Sequence, residues 1–141
     1  FKNRREMAKY YKLIRDVKKV LPISKEINRA IIETYEYLQT IPTEKGRQKH
    51  LKAVEKGLKE QYTPRMKKLS FSQGKLLIKL VDRQTHSTSY ELVKAFMGPF
   101  KAGFYQTFAA LFGASLKKQY DPTGDDALTE RVILMVESGQ L

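Results

Sequence analysis

The sequence predicts an all-α fold: a single-domain, irregular helical bundle of about six or seven helices with a central Phe-rich helix. Three observations lead there. Apolar residues recur at spacings of three and four along most of the chain, the period of a helix with one buried face. No stretch sustains the alternation of a half-buried strand, and no hairpin signature occurs. The gaps between the periodic stretches carry helix-capping residues and prolines. With 141 residues, 41% hydrophobic and 11% aromatic, the chain can bury one core and is too short to divide into two. It reads as three tracts: basic amphipathic helices over 1–69, an apolar centre over 70–120, and an acidic loop and C-terminal helix over 121–141.

In chain order, Met7, Tyr10, Tyr11, Ile14, Val17 and Leu21 form the apolar stripe of a first helix, with Lys12, Arg15, Lys18 and Lys19 on its wet face. Pro22 is expected to end it, because proline lacks an N–H and restricts the residue before it. Ser24 then reads as the N-cap of a second helix that buries Ile27, Ala30, Ile31, Thr34, Tyr35 and Leu38 and stops before Pro42. Thr43 reads as the next N-cap. The third helix sets Arg47, His50, Leu51, Val54, Leu58 and Tyr62 against Lys45, Lys49, Lys52, Lys56 and Lys59 on its other face. Thr63-Pro64 is expected to start a short helix to about Leu69.

Ser70-x-x-Gln73 is a capping-box pattern that opens a helix burying Leu76, Leu77, Leu80 and Val81. Thr88-x-x-Glu91 repeats the pattern. Gly98-Pro99 breaks that helix and starts the Phe-rich one, Pro99 to about Phe112, which Gly113 caps. Residues 121–126 read as a loop with Asp125 or Asp126 as a cap, followed by a last helix through Leu128, Val132, Ile133, Met135 and Val136. The run from Ala95 to Leu116 has the length of a membrane span, but Gly98-Pro99 interrupts it and Gln106 and Thr107 sit in its middle. No transmembrane segment is expected in this chain.

The formal net charge is +12, and it is uneven. Residues 1–70 hold 19 basic and 8 acidic side chains, whereas 71–141 hold 8 and 7. A basic half of this kind suits an anionic partner; equally, it suits a solvated lysine-rich surface. The absence of cysteine excludes disulfides, thiolate metal sites and cysteine nucleophiles. His50 and His86 stand far apart without metal-ligand companions, and the carboxylates of 121–126 lack the spacing of a calcium loop, so no metal is expected. No cofactor fingerprint occurs, and none is expected. Gln73-Gly74-Lys75 lacks the rest of a phosphate loop. Ser72-x-x-Lys75 has the spacing of a serine–lysine acylation site but no companion motif, and is better explained as a helix start.

What capping and packing leave over is a short set of candidate binding residues: Lys75, Asp82, Arg83, Tyr90, Lys94, Lys101, Tyr105 and Gln106. Lys79, Asp82, Arg83 and His86 share one helical face, where they could hold an anion or pin the following loop, with Arg83 paired to Asp82 or Glu91. Lys94 and Lys101 would approach each other if the helices around Gly98-Pro99 fold into a hairpin, lining a basic, aromatic concavity with Tyr90, Tyr105 and Gln106. The alternative is a satisfied interior with both lysines reaching outward. No residue can be named as catalytic.

Five segments occur in an order that is specific: Arg15–Pro22 (RDVKKVLP), Ser72–Thr85 (SQGKLLIKLVDRQT), Ser89–Lys94 (SYELVK), Tyr105–Gly113 (YQTFAALFG) and Ser115–Pro122 (SLKKQYDP). Together they resemble a family of exported Bacteroidetes proteins known as domain of unknown function 4294, whose members carry aromatic residues beside the proline where this chain has Leu21 and Ile23. The resemblance implies a signal peptide upstream, consistent with a chain that opens at Phe1, and a periplasmic or envelope location. It implies no activity. The functional expectation is a noncatalytic, envelope-associated binding or interaction module that presents a basic helical surface to an anionic envelope component or protein partner. The alternatives are an enzyme acting on an envelope polymer, and a nucleic-acid-binding helical domain; export would make nucleic acid an unsuitable partner.

Overall fold

Asn3 opens the first helix by accepting the Glu6 N–H at 2.9 Å, the bond an N-cap side chain makes to an otherwise unpaired donor. The computed structural model describes residues 3–87 and 120–141, and among these only helices occur, with no strand. Helix α1 runs Arg4–Leu38, α2 Glu44–Lys67, α3 Phe71–Ser87 and α4 Ala127–Glu137. The all-helical expectation holds in that part. The count of six or seven is not reached there, because two expected breaks are absent. The Thr88–Glu91 capping box, the Gly98-Pro99 break, the Phe-rich helix with its Gly113 cap and the 95–116 run lie outside the described residues.

The first absent break is at Pro22, which lies inside α1 instead of ending it. Proline removes one rung of the helix ladder, and the carbonyl left without a partner belongs to Lys18. Both Pro22 and Lys18 are exposed, so water can take that carbonyl. Meanwhile Val17, Val20, Leu21, Ile23, Ile27 and Ile31 form one buried face across the proline. Breaking the helix would sacrifice that face. Ser24 is accordingly no N-cap: it is buried mid-helix and its Oγ donates to the Leu21 carbonyl at 2.8 Å.

Pro64 repeats the case within α2. It is exposed, as is Glu60, whose carbonyl loses its partner, while Leu58, Tyr62, Met66 and Leu69 stay buried on the other side. The short helix expected from Thr63-Pro64 is therefore the end of α2, and Thr63 Oγ1 is buried without a hydrogen-bond partner.

Two other helix starts hold. Thr43 Oγ1 accepts the Gly46 N–H at 3.1 Å. Ser70 and Gln73 close the capping box in both directions, Gln73 N–H to Ser70 Oγ at 3.2 Å and Ser70 N–H to Gln73 Oε1 at 3.1 Å. Helix α4 ends in a pattern the sequence analysis did not anticipate. Gly139 takes φ 80°, while the Gly139 and Gln140 N–H groups return to the Val136 and Met135 carbonyls at 3.2 and 2.9 Å, capping the last turn.

Side-chain pairings set the arrangement. Glu26 meets Tyr62 and Arg65, while Tyr37 lies beside His50, so α2 folds back antiparallel along α1. Lys12 meets Ser72 at one level, and Glu137 meets both Lys25 and Arg83 further along, so α3 and α4 run in the direction of α1. The core lies between α1, α3 and α4, with Val17, Val20, Ile27, Ile31, Leu77, Ile78, Leu80, Val132 and Ile133 all but sealed from solvent. From Glu44 to Gly57, by contrast, no described side chain of α2 is buried.

Candidate functional site

Three of the eight candidate residues, Lys75, Asp82 and Arg83, fall on α3, and the structure separates their roles. Tyr90, Lys94, Lys101, Tyr105 and Gln106 lie outside the described residues. Leu76, Leu77, Leu80 and Val81 turn inward and fix the orientation of α3, leaving Lys75 exposed, Lys79 and Arg83 at the rim and Asp82 inside.

Asp82 and Arg83 belong to a polar network that ties α3 to the chain entering α4. Asp82, 1% exposed, accepts the Tyr120 N–H at 2.7 Å. Arg83 does not pair with Asp82; its Nε donates to Glu130 at 2.7 Å and its Nη1 stands 3.7 Å from Glu137. The Tyr120 hydroxyl donates to the same Glu130 carboxylate at 2.9 Å. Burial opposes the charge of Glu130, but the hydrogen bonds from Arg83 and Tyr120 and the guanidinium charge outweigh it and hold the carboxyl below its ordinary value. Burial, then the bond to Glu130 and its charge, push the Tyr120 phenol well above its ordinary value. Each charge of this network has a partner among the described residues, and together they clamp α3 to the chain entering α4. Among the described residues the partner of Arg83 is Glu130 rather than Asp82; Glu91 and the loop that follows α3 lie outside the described residues. His86 lies on α3 as well.

Lys79 extends the clamp. Its Nζ meets Asp126 Oδ1 at 2.6 Å, and Asp126 Oδ2 accepts the Asp121 N–H at 2.9 Å. Asp126 occupies the N-cap position of α4, but its carboxylate makes no capping bond, being taken up by Lys79 and the loop. The expected side-chain cap is thus replaced by a cross-link from α3.

Beside Lys79 a groove of about 350 Å³ opens between α1, α3 and the start of α4. Lys9, Lys12, Leu13 and Asp16 line it from α1, and Ser72, Lys75, Leu76 and Lys79 from α3. Asp126, Leu128 and Thr129 close its third side. Lys12 Nζ donates to Asp16 at 3.2 Å and to Ser72 Oγ at 2.8 Å, and Gln73 Nε2 donates to Asp16 at 3.0 Å. Ser72 is therefore engaged by Lys12, not by Lys75, and the serine–lysine spacing reflects two residues one helical turn apart on the same wall. Lys9 and Lys75 reach the groove with no hydrogen bond or ion pair among the described residues. Sequence reasoning found Lys75 and missed Lys9, Lys12 and Asp16, because a contact 60 residues apart such as Lys12–Ser72 has no local signature.

The lysine stripe on α2 is where the sequence placed it. Lys45, Lys49, Lys52, Lys56 and Lys59 are all exposed. Their alternating spacings of four and three keep them on one side, over about 21 Å of helix at 1.5 Å per residue. None has an ion-pair partner among the described residues, whereas Arg47 on the same helix is paired with Glu44 at 2.8 Å. Among the described residues no helix is long and apolar enough to cross a membrane, and no group of three or more His, Asp or Glu side chains could hold a metal ion.

No curated protein and no solved structure matches the chain. The sequence model of one family matches residues 1–135, nearly the whole length, in agreement with the five ordered segments noted above. The chain therefore belongs to the family described as a domain of unknown function (DUF4294).

Proposed function

We propose that this chain is a noncatalytic, exported binding module of the cell envelope, and that the lysine stripe of α2 holds an anionic envelope component. The single observation that carries the reading is the row of five exposed lysines on one side of α2, none with an ion-pair partner among the described residues. The envelope location rests on what the family resemblance implies. Successive lysines of the stripe lie within a Debye length of one another at physiological salt (about 8 Å), so their fields add at the surface of an extended anionic partner. Among the described residues the buried polar and charged side chains (Asp16, Ser24, Thr34, Asp82 and Asp126) all lie off α2, and the clamp around Arg83 is internally paired. Both features favour binding over catalysis.

The test is cosedimentation of the chain with isolated envelope material, or with anionic and neutral vesicles, across a salt series. Reversal of Lys49, Lys52 and Lys56 to Glu should abolish low-salt association with the anionic material and leave helicity unchanged. Unchanged association of the reversal variant would refute the reading. Association with nucleic acid alone would replace it by the nucleic-acid alternative.

A further inference from the structure

We infer that the groove between α1, α3 and α4 is a second, independent site, and that it takes a small organic phosphate: a phosphomonoester attached to an apolar body. The charge of the groove points to the head group. Four lysines face two aspartates there, leaving an excess of +2. A phosphomonoester carries about −1.5 to −2 near neutral pH. The distribution of that charge matters more than its sum. Asp16 and Asp126 each anchor one lysine, Lys12 and Lys79, so two ammonium groups are held in place before any ligand arrives.

Donors remain for a ligand. An ammonium has three N–H groups. Lys12 spends two, on Asp16 and Ser72, and Lys79 spends one, on Asp126. Lys9 and Lys75 spend none among the described residues. Acceptor-rich oxyanions satisfy such a set and neutralise its charge; a cation does neither, and a neutral sugar, whose hydroxyls accept, leaves the charge in place.

The apolar body is indicated by the rest of the lining. Leu13, Leu76 and Leu128 line the groove, Leu76 being buried and Leu128 47% exposed. The aliphatic stems of the lysines add to the same surface. A volume of about 350 Å³ lies in the range of small-ligand sites and is more than a bare phosphate ion would fill.

The test titrates the full chain with hexyl phosphate, inorganic phosphate and hexanol, following amide chemical shifts and binding heat. Hexyl phosphate should saturate and shift resonances around Leu13, Leu76 and Leu128. It should bind at least about tenfold more tightly than inorganic phosphate or hexanol, which each lack half of the recognition. The double variant Lys9→Gln/Lys75→Gln should weaken it by about tenfold or more, since two charge-assisted contacts are lost. Both lysines are exposed, so circular dichroism should be unchanged. The α2 reversal variant should bind hexyl phosphate within about twofold of the wild type, its lysines being too far off to matter under screening. That arm separates failure of this site from failure of the envelope reading. Absence of saturation, equal binding by the double variant, or equal binding of either half-ligand would each overturn the inference.

Discussion

Replacing Pro22 by alanine should stabilise the protein. Pro22 sits in the interior of α1 and is exposed, so its ring contributes nothing to the core that alanine would forfeit. In a helix interior proline is less favourable than alanine by about 3 kcal/mol, through the lost hydrogen bond and the clash with the preceding turn. Alanine also frees the unfolded chain, which takes back about 0.4–1 kcal/mol. The balance is a gain of about 2 kcal/mol. With a urea m-value of about 2 kcal/mol/M, the midpoint should rise by about 1 M. At about 4 °C per kcal/mol, intermediate between smaller and larger domains, the melting temperature should rise by about 8 °C. If α1 instead broke at Pro22, proline would sit at a natural helix boundary, and alanine would be neutral or mildly destabilising. A midpoint that stays level or falls would refute the continuous helix.

Four further outcomes follow from the same geometry. Truncating Leu77, fully buried between the helices, to alanine should cost about 2–5 kcal/mol in urea unfolding. Gly139→Ala, at the only positive φ among the described residues, should cost about 1–2 kcal/mol and fray the end of α4 in amide spectra. The Glu130 carboxyl titrates below its ordinary value of 4.5 in the fold, so its contribution is present above pH 4.5 and lost as pH falls through the lower folded value. Glu130→Gln should therefore flatten the acid limb of the urea midpoint. The Tyr120 phenol is shifted the other way, so its contribution is present below pH 10 and lost above it, and Tyr120→Phe should flatten the alkaline limb.

Local signals in the sequence were dependable where neither a neighbouring proline nor a distant partner intervened. Thr43, the Ser70–Gln73 box, the buried face of α3 and that of α1 from Ile14 onward are as expected, while Met7 and Tyr11 of the expected α1 stripe are exposed; capping and amphipathic period are decided within a few residues. The two prolines misled for a physical reason. The cost of an interior proline is a local quantity of about 3 kcal/mol, and the face it would interrupt is a tertiary one. At Pro22 that face spans Val17 to Ile31, six buried aliphatics whose separation would cost more. Arg83 was recognised as a networked residue, but its partner lies 47 positions away, and nothing near Arg83 marks Glu130 in advance. The groove was legible only along its α3 wall, as Ser72, Lys75 and Lys79, since its other walls come from α1 and α4.

Helix α2 is divided by burial into two lengths. Leu58, Tyr62 and Met66 root its second half in the core, while the stretch that carries Lys45 to Lys56 has no buried side chain described. Amide hydrogens of the first half should exchange through local opening of low free energy, and those of the second half only with much larger openings. A polyanion laid along the lysines must then fasten the looser half, so part of its binding free energy goes into ordering helix. Its arrival should be read as slowed exchange over residues 45–56, a signature that ions merely condensed on a rigid surface would not leave.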